Sequence, residues 1–334
     1  MKKNFNIGVI GLGVGERHIE SYFKFGCKVK KIFDFDKRKM LLVKKKYPSI
    51  EMCSSENDIF NDTEINIISI ASYDNYHFNQ ILKAIKTKKN IFVEKPMVLE
   101  EEHLKKVFKL LKKNKNIHFY SNFILSESPI FINLKKSILN NDFGKIYAIE
   151  ADYNYGRLKK ITHGWRGKIP YYSVTLGGGI HMVDLISWMV ESHAVEVKSY
   201  GNKLCTTKSI FKYNDCTISL LKFANGMIAK ISSNFGCVYP HFHKLSIYGT
   251  KKTFENDIEN IRIFKSKSKN IVKKTKNNYK SYYKGNAIKF FLESIGKPSL
   301  RKKLIERVFY SIKVCFAIER SIKNNKTVKI NYLK

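Results

Sequence analysis

The chain has 334 residues, 43% of them hydrophobic and 13% aromatic, and a formal net charge of +34 at neutral pH. This length exceeds what one hydrophobic core serves and suggests two domains; the apolar content excludes a disordered chain, and no apolar run approaches the ~20 residues of a membrane span. The excess charge is mostly lysine, scattered along the sequence on the polar side of each pattern, which points to a solvated, anion-attracting surface rather than a nucleic-acid interface.

Met1-Lys2-Lys3-Asn4-Phe5 runs directly into an apolar β-segment, so no secretion signal is expected. The six cysteines form no Cys-x-x-Cys pair and lie near no metal-spaced histidine. Reduced thiols in a cytoplasmic protein, with no metal site, are the expectation.

Up to Ser121 the pattern alternates strand and helix. Asn6–Ile10 is a strand, Glu16–Phe25 a helix, Lys28–Phe35 a strand, and Lys37–Tyr47 a helix stopped by Pro48. Ile65–Ala71 is nearly continuous in apolar residues, as for a strand buried on both faces. Asn75–Lys86 is helical, Asn90–Val93 a strand, Leu99–Leu111 a charged helix and Ile117–Ser121 a further strand. Such alternation implies right-handed βαβ crossovers and a Rossmann-type, doubly wound parallel sheet.

From Ile124 the grammar changes. The helix Pro129–Leu139 leads into a long strand, Lys145–Tyr155, and Gly177-Gly178-Gly179 opens a helix at His181–Val190. Strands then follow one another: Val195–Gly201, Cys216–Phe223, Met227–Asn234, Lys244–Gly249 and Asn260–Phe264. Asn225-Gly226 is a two-residue hairpin signal, both positions of such a turn requiring positive φ. Residues 265–282, rich in Lys, Ser and Asn, read as an exposed loop. Helices at Asn286–Ile295 and Arg301–Lys323 and a strand at Thr327–Ile330 close the chain. The expected organisation is an α/β dinucleotide-binding domain over 1–122 and an α+β domain over 123–334. The second holds a mostly antiparallel sheet with helices on one face, and its final helix packs back toward the first domain.

The first strand ends in Gly11-Leu12-Gly13-Val14-Gly15-Glu16-Arg17-His18. Gly11 permits a tight turn, and Gly13 lets backbone approach a pyrophosphate at the N-terminus of the next helix. The usual fingerprint is G-x-G-x-x-G; here Glu16 holds the sixth place and Gly15 comes one position early. The next strand ends at Phe33-Asp34-Phe35-Asp36, and Asp34 can accept both ribose hydroxyls of an adenosine. Asp34 favours NAD, while Lys37 and Arg38 can receive a 2′-phosphate and leave NADP open.

These segments, together with others, resemble the glucose-fructose oxidoreductase/inositol dehydrogenase family, Gfo/Idh/MocA. The likeness rests on Gly11-Leu12-Gly13 with His18, Ala71-Ser72 with His77, and Val93-Glu94-Lys95-Pro96. It continues through Asp142-Phe143-Gly144-Lys145-Ile146, Gly178-Gly179-Ile180-His181-Met182-Val183-Asp184-Leu185 and the ending from Ser321 to Val328. It implies a soluble oxidoreductase that uses a nicotinamide cofactor on a secondary alcohol or ketone of a sugar, cyclitol or related compound. The implied cofactor-binding set is Gly11, Leu12, Gly13, Val14, Asp34, Ala71, Ser72, His77, Glu94, Lys95 and Asn122. Lys95 and His181 are the implied catalytic pair, and a homodimer or homotetramer through the second sheet is implied as well.

The residue types suit this chemistry. A histidine titrates near neutral pH and can both accept and return a proton, and an ammonium can polarise a developing alkoxide or carbonyl. Many dehydrogenases of the family carry an aspartate four residues before the histidine; Gly177 stands there in this chain. Asp184, three residues after His181, either orients the histidine or only caps and packs. Tyr155, Trp165 and Arg166 are candidate substrate contacts beside Lys95, His181 and Asp184, with Arg157 and Tyr172 nearby; Tyr153 and Tyr171 read as packing. An arginine beside aromatic faces suits an anionic or nucleotide-linked sugar. The alternatives are a hydrolase or epimerase that uses NAD transiently, and a non-catalytic dinucleotide-binding redox sensor.

Overall fold

A computed structural model of the protein describes residues 5–265, 272–276 and 285–333. The chain begins with β1 (Asn6–Ile10), α1 (Gly15–Lys24), β2 (Lys28–Phe33), α2 (Lys37–Lys46), β3 (Glu51–Met52) and α3 (Asn57–Phe60). It continues with β4 (Ile67–Ile70), α4 (His77–Lys86), β5 (Asn90–Val93), α5 (Glu101–Lys113) and β6 (Phe119–Ser121). Then come α6 (Pro129–Leu139), β7 (Ile146–Asn154), α7 (Lys159–Thr162), α8 (Ile180–Val190), β8 (Ala194–Asn202), β9 (Cys216–Phe223) and β10 (Ile228–Asn234). The remainder is β11 (Phe242–Gly249), β12 (Thr253–Asn256), β13 (Asn260–Phe264), β14 (Val272–Lys276), α9 (Asn286–Ser294), α10 (Pro298–Asn324) and β15 (Val328–Lys329).

Two compact units result. The first gathers the chain through Ile124 with α9 and α10 as far as Phe309. Its parallel sheet has the order β3-β2-β1-β4-β5-β6. Strand order reverses between β1 and β4, the switch point at which ligands bind in such sheets. Every residue of β4 is buried, as its unbroken apolar run requires. The final helix was expected to return toward this domain; α9, expected in the second domain, belongs here as well, and aromatic side chains of both helices find their partners in the first unit. Phe291 lies 5.6 Å from Phe92, and Phe309 lies 5.0 Å from Phe108, between ring centroids. The place of α9 is hidden in the sequence, because apolar helix faces do not name their partners.

The second unit carries a sheet ordered β14-β13-β12-β11-β7-β10-β9-β8-β15. Only the β7–β10 pairing is parallel among its described strands. The β9–β10 hairpin departs from the expected two-residue turn. Phe223 N–H donates to Met227 O at 2.8 Å, and Gly226 alone of the loop adopts positive φ, at +83°. This is a three-residue loop closed by a left-handed glycine. Residues 272–276, expected as loop, instead form β14, paired with β13; the rest of that loop expectation lies outside the described residues. β12 escaped the alternation pattern because a polar residue, Asn256, occupies a buried place. Its side chain accepts from Leu245 N–H at 2.6 Å and donates to His243 O at 3.1 Å.

Arg301 fastens α10 to the end of α5. Its guanidinium donates to Leu111 O and Ile117 O, each at 2.7 Å, and to Asn114 O at 3.1 Å. Replacing it with alanine strands carbonyls that a cation had satisfied. Arg301→Ala is expected to lower stability by about 1–3 kcal/mol in urea unfolding.

Candidate functional site

The glycine turn follows β1, and its three glycines have separate reasons. Gly11 has φ +86°, and a Cβ there would sit 2.4 Å from Ser72 N and 2.5 Å from Ala71 O. Gly15 begins α1, where a Cβ would press Val9 Cγ1 at 3.0 Å and Ala71 Cβ at 3.4 Å. It therefore does the helix-to-strand packing that the third fingerprint glycine normally does, which explains why Glu16 is tolerated at the usual place. Gly13 needs neither: its φ is not positive, and nothing lies within 4 Å of its Cβ position. Open space over that backbone at a helix N-terminus is what a pyrophosphate requires, so the residues fit a dinucleotide.

Asp34, at the end of β2, is tied to this turn. Leu12 N–H donates to its Oδ2 at 2.6 Å and Asp36 N–H to its Oδ1 at 2.8 Å. A carboxylate has about four acceptor positions, so capacity remains for ribose hydroxyls. Beside it lies a groove of about 490 Å³ lined by Asp34, Phe35, Asp36, Lys37, Arg38, Lys39 and Tyr73. Phe35 is 63% exposed, and its ring stands 5.1 Å from that of Tyr76. Val14 is also exposed.

The ends of β4 and β5 are locked by two histidines. His18 of α1 sets Nε2 3.1 Å from Glu94 Oε1 and Nδ1 3.0 Å from Ser69 Oγ. Asn122 Nδ2 donates to the same Glu94 oxygen at 2.5 Å. Burial pushes the Glu94 carboxyl up, but His18, the adjacent Lys95 and the Asn122 amide outweigh it and hold it at about 2. His77 is fully buried, with Nδ1 2.8 Å from Pro96 O and Nε2 3.1 Å from Ser72 O. Both ring nitrogens face carbonyl oxygens, and the residue joins the Ala71-Ser72 turn to the Glu-Lys-Pro turn. Ser72 Oγ donates to Gln80 Oε1 at 2.6 Å. Lys95 follows, half-buried. The first unit thus brings Gly11, Leu12, Gly13, Asp34, Ala71, Ser72, Glu94, Lys95 and Asn122 to the carboxyl edge of its sheet.

The second unit holds the other candidates. A π-helical turn, Thr175–Gly179, leads into α8 and puts His181 in its first turn. Ser173 Oγ accepts from the N–H groups of Thr175 and Leu176, both at 3.1 Å, and donates to Glu319 Oε1 at 2.5 Å. Burial raises the Glu319 carboxyl, and hydrogen bonds from Ser173, Thr175 and Tyr171 offset this only in part. Around His181, which is 5% exposed, rings gather. Tyr153 lies 6.1 Å and His243 5.9 Å from it; Tyr153 also contacts Tyr155, Phe235 and His241 at 5.8, 5.9 and 5.3 Å. Tyr153, itself buried, packs at the centre of this cluster. Arg166 lies 4.5 Å over Trp165 and 6.0 Å from the Tyr172 ring. Asp184 is completely buried.

His241 and His243 were not foreseen. Residues two apart on a strand share a face, and His243 pairs with Tyr153 across β11 and β7. The signal was the His-x-His spacing continued by Leu245 and Ile247, both buried. It was obscured because the strand was expected to begin only at Lys244.

A doubly wound sheet with this turn, carboxylate and locked switch point is that of a dinucleotide-binding oxidoreductase. Residues 5–123 match the family described as oxidoreductase family, NAD-binding Rossmann fold. Residues 131–255 match the GFO/IDH/MocA C-terminal domain. The chain belongs to the Gfo/Idh/MocA oxidoreductases and carries their NAD-binding domain. It is 24% identical over 314 residues to the uncharacterized oxidoreductase YrbE of Bacillus subtilis (strain 168), covering 89% of this chain and 88% of the relative. The myo-inositol 2-dehydrogenase of Thermotoga maritima is 23% identical over 255 residues, 73% of each chain. A levoglucosan dehydrogenase solved with NADH and levoglucosan shares the fold at a TM-score of 0.82 and 16% identity, over 99% of this chain and all of that one. Among the described residues no helix is long and apolar enough to cross a membrane.

The Glu94 network predicts a pH dependence. Its folded value lies below the ordinary 4.5, so the pairing contributes stability above pH 4.5 and loses it as pH falls toward about 2. Between pH 5 and pH 3, wild-type protein is expected to lose about 1–2 kcal/mol more than Glu94→Gln in denaturant melts. Equal losses in the two proteins would refute the network.

Proposed function

We propose that the protein is an NAD-dependent dehydrogenase or reductase acting on a secondary alcohol or ketone of a sugar or cyclitol. The observation that carries this reading is the ring-lined, barely exposed His181 in a chain whose glycine turn leaves Gly13 open for a pyrophosphate. The substrates named for relatives, myo-inositol and levoglucosan, belong to the same class.

Gly11, Leu12 and Gly13 hold the diphosphate through backbone N–H groups, and Asp34 accepts the ribose hydroxyls. When bound, the nicotinamide supplies the hydride acceptor or donor. His181 takes the carbinol proton during oxidation and returns it during reduction. Lys95 donates a hydrogen bond to the oxygen and steadies the charge that develops there. The finer reading is an anionic or nucleotide-linked sugar. Half-buried Arg166 on its aromatic bed, with His241 and His243 in the same unit, supports it. The protein is placed in the cytoplasm, as a homodimer or homotetramer. Tyr200, Ile218, Leu220 and Ile228 lie exposed on one face of the second sheet, which supports assembly through that face. A light-scattering mass of one chain at micromolar concentration would exclude it.

Calorimetry with NAD and NADP, oxidised and reduced, tests the foundation; no heat with any of them overturns it. His181→Ala and Lys95→Ala are each expected to lower kcat by about 10²–10⁴-fold, with His181→Ala leaving NADH affinity nearly unchanged. Arg166→Ala should raise KM for uronates or nucleotide-linked sugars by about tenfold and leave neutral polyols unaffected. An unchanged KM for every anionic compound would remove the finer reading.

A further inference from the structure

One tyrosine ring, just past the end of β7, carries two basic side chains. The Arg157 guanidinium stands 5.3 Å over the centre of the Tyr155 ring. The His241 ring stands 5.0 Å from the same ring, at an interplanar angle of 81°. Backbone fixes the pair. Gly156, between Tyr155 and Arg157, has φ +57°, and a Cβ there would run into Tyr239 O. The segment that leads to His241 is thus packed against the backbone that carries Arg157.

The platform is firm and its edge is open. Tyr155 is buried and stacks on Tyr153 at 5.8 Å. Arg157 is exposed and His241 half-buried. Burial, with Tyr155 and Tyr172, pushes the Tyr153 phenol up, while Arg166 and Arg157 pull it the other way. Both guanidiniums therefore act on the ring stack against which His181 lies, its ring 6.1 Å from that of Tyr153. His243 touches His181 at 5.9 Å and His241 at 5.0 Å, so a single ring bridges the candidate reaction centre to His241.

Resting on the reading above, we propose that Arg157 and His241, gathered on the Tyr155 ring, bind a phosphate monoester carried by the sugar substrate. A phosphoryl group bears up to two negative charges near neutral pH and presents three acceptor oxygens. An arginine fork takes two of them, and an imidazole N–H takes the third. A carboxylate has one charge and two oxygens, which the fork alone satisfies. The phosphate is an anchor and takes no part in the redox step.

The test uses full-length protein saturated with NADH, so that the glycine turn is filled, at about 0.15 M salt, where scattered lysines are screened. Calorimetry compares inorganic phosphate with acetate, and glucose 6-phosphate with glucuronate. Each phosphate is expected to bind about tenfold or more tightly than its carboxylate counterpart. Arg157→Gln and His241→Ala are each expected to weaken phosphate binding by about tenfold and to leave NADH affinity unchanged. Lys160→Gln, which removes an equal charge from the exposed surface three residues on, is expected to change neither. The proposal is overturned if the carboxylates bind as tightly as the phosphates, if neither phosphate binds, or if Arg157→Gln weakens binding no more than Lys160→Gln does. Failure of the wild-type protein to bind NADH, seen before any phosphate is added, would instead overturn the underlying reading.

Discussion

One carboxylate fixes the geometry on which the first unit's site depends. Asp34 accepts the Leu12 N–H from the glycine turn and the Asp36 N–H from the end of its own strand. Asp36 in turn caps α2, its side chain accepting the Arg38 N–H at 3.0 Å. The turn after β1, the end of β2 and the start of α2 are thus joined through two aspartates. Hydrogen bonds from N–H to a carboxylate are among the stronger ones a fold makes. Preorganisation follows, since the backbone that must face a diphosphate is already held when the ligand arrives. Loss of Asp34 would therefore loosen the turn itself, and its effect on cofactor affinity should not be read as one hydrogen bond.

The histidines divide by what surrounds them. His18 and His77 have both ring nitrogens facing protein acceptors or hydroxyls, and they fasten neighbouring turns at the carboxyl edge of the parallel sheet. His181, His241 and His243 lie instead among aromatic rings, with Tyr153 at the centre. Fasteners gain from full burial and fixed partners.

Much of this was legible in the sequence, and the gaps have physical causes. The parallel sheet was readable because fully buried strands must be continuously apolar, as β4 is. The glycine turn was readable, but the division of labour among Gly11, Gly13 and Gly15 needed atoms at known distances. β3 and α3 are too short to show a period. β12 was hidden by buried Asn256, and the histidine pair by its place at a strand's beginning. The absent side chain at 177 was noticed from sequence; that Tyr172 fills its space was not, since five residues of chain separate them and only the folded loop brings the phenol back.

Charge placement separates the roles of the two proposed catalytic residues. Glu94 is held ionised by His18, Lys95 and Asn122. An anion next to Lys95 in sequence, and electrostatically coupled to it, favours the charged ammonium. In the second unit Asp184 and Glu319 are both buried, and Glu319 is drawn toward its neutral form by that burial. The rings nearest His181 belong to Tyr153 and His243. The two candidates thus stand in different surroundings: Lys95 beside an ionised carboxylate at the end of β5, His181 among aromatic rings in the first turn of α8.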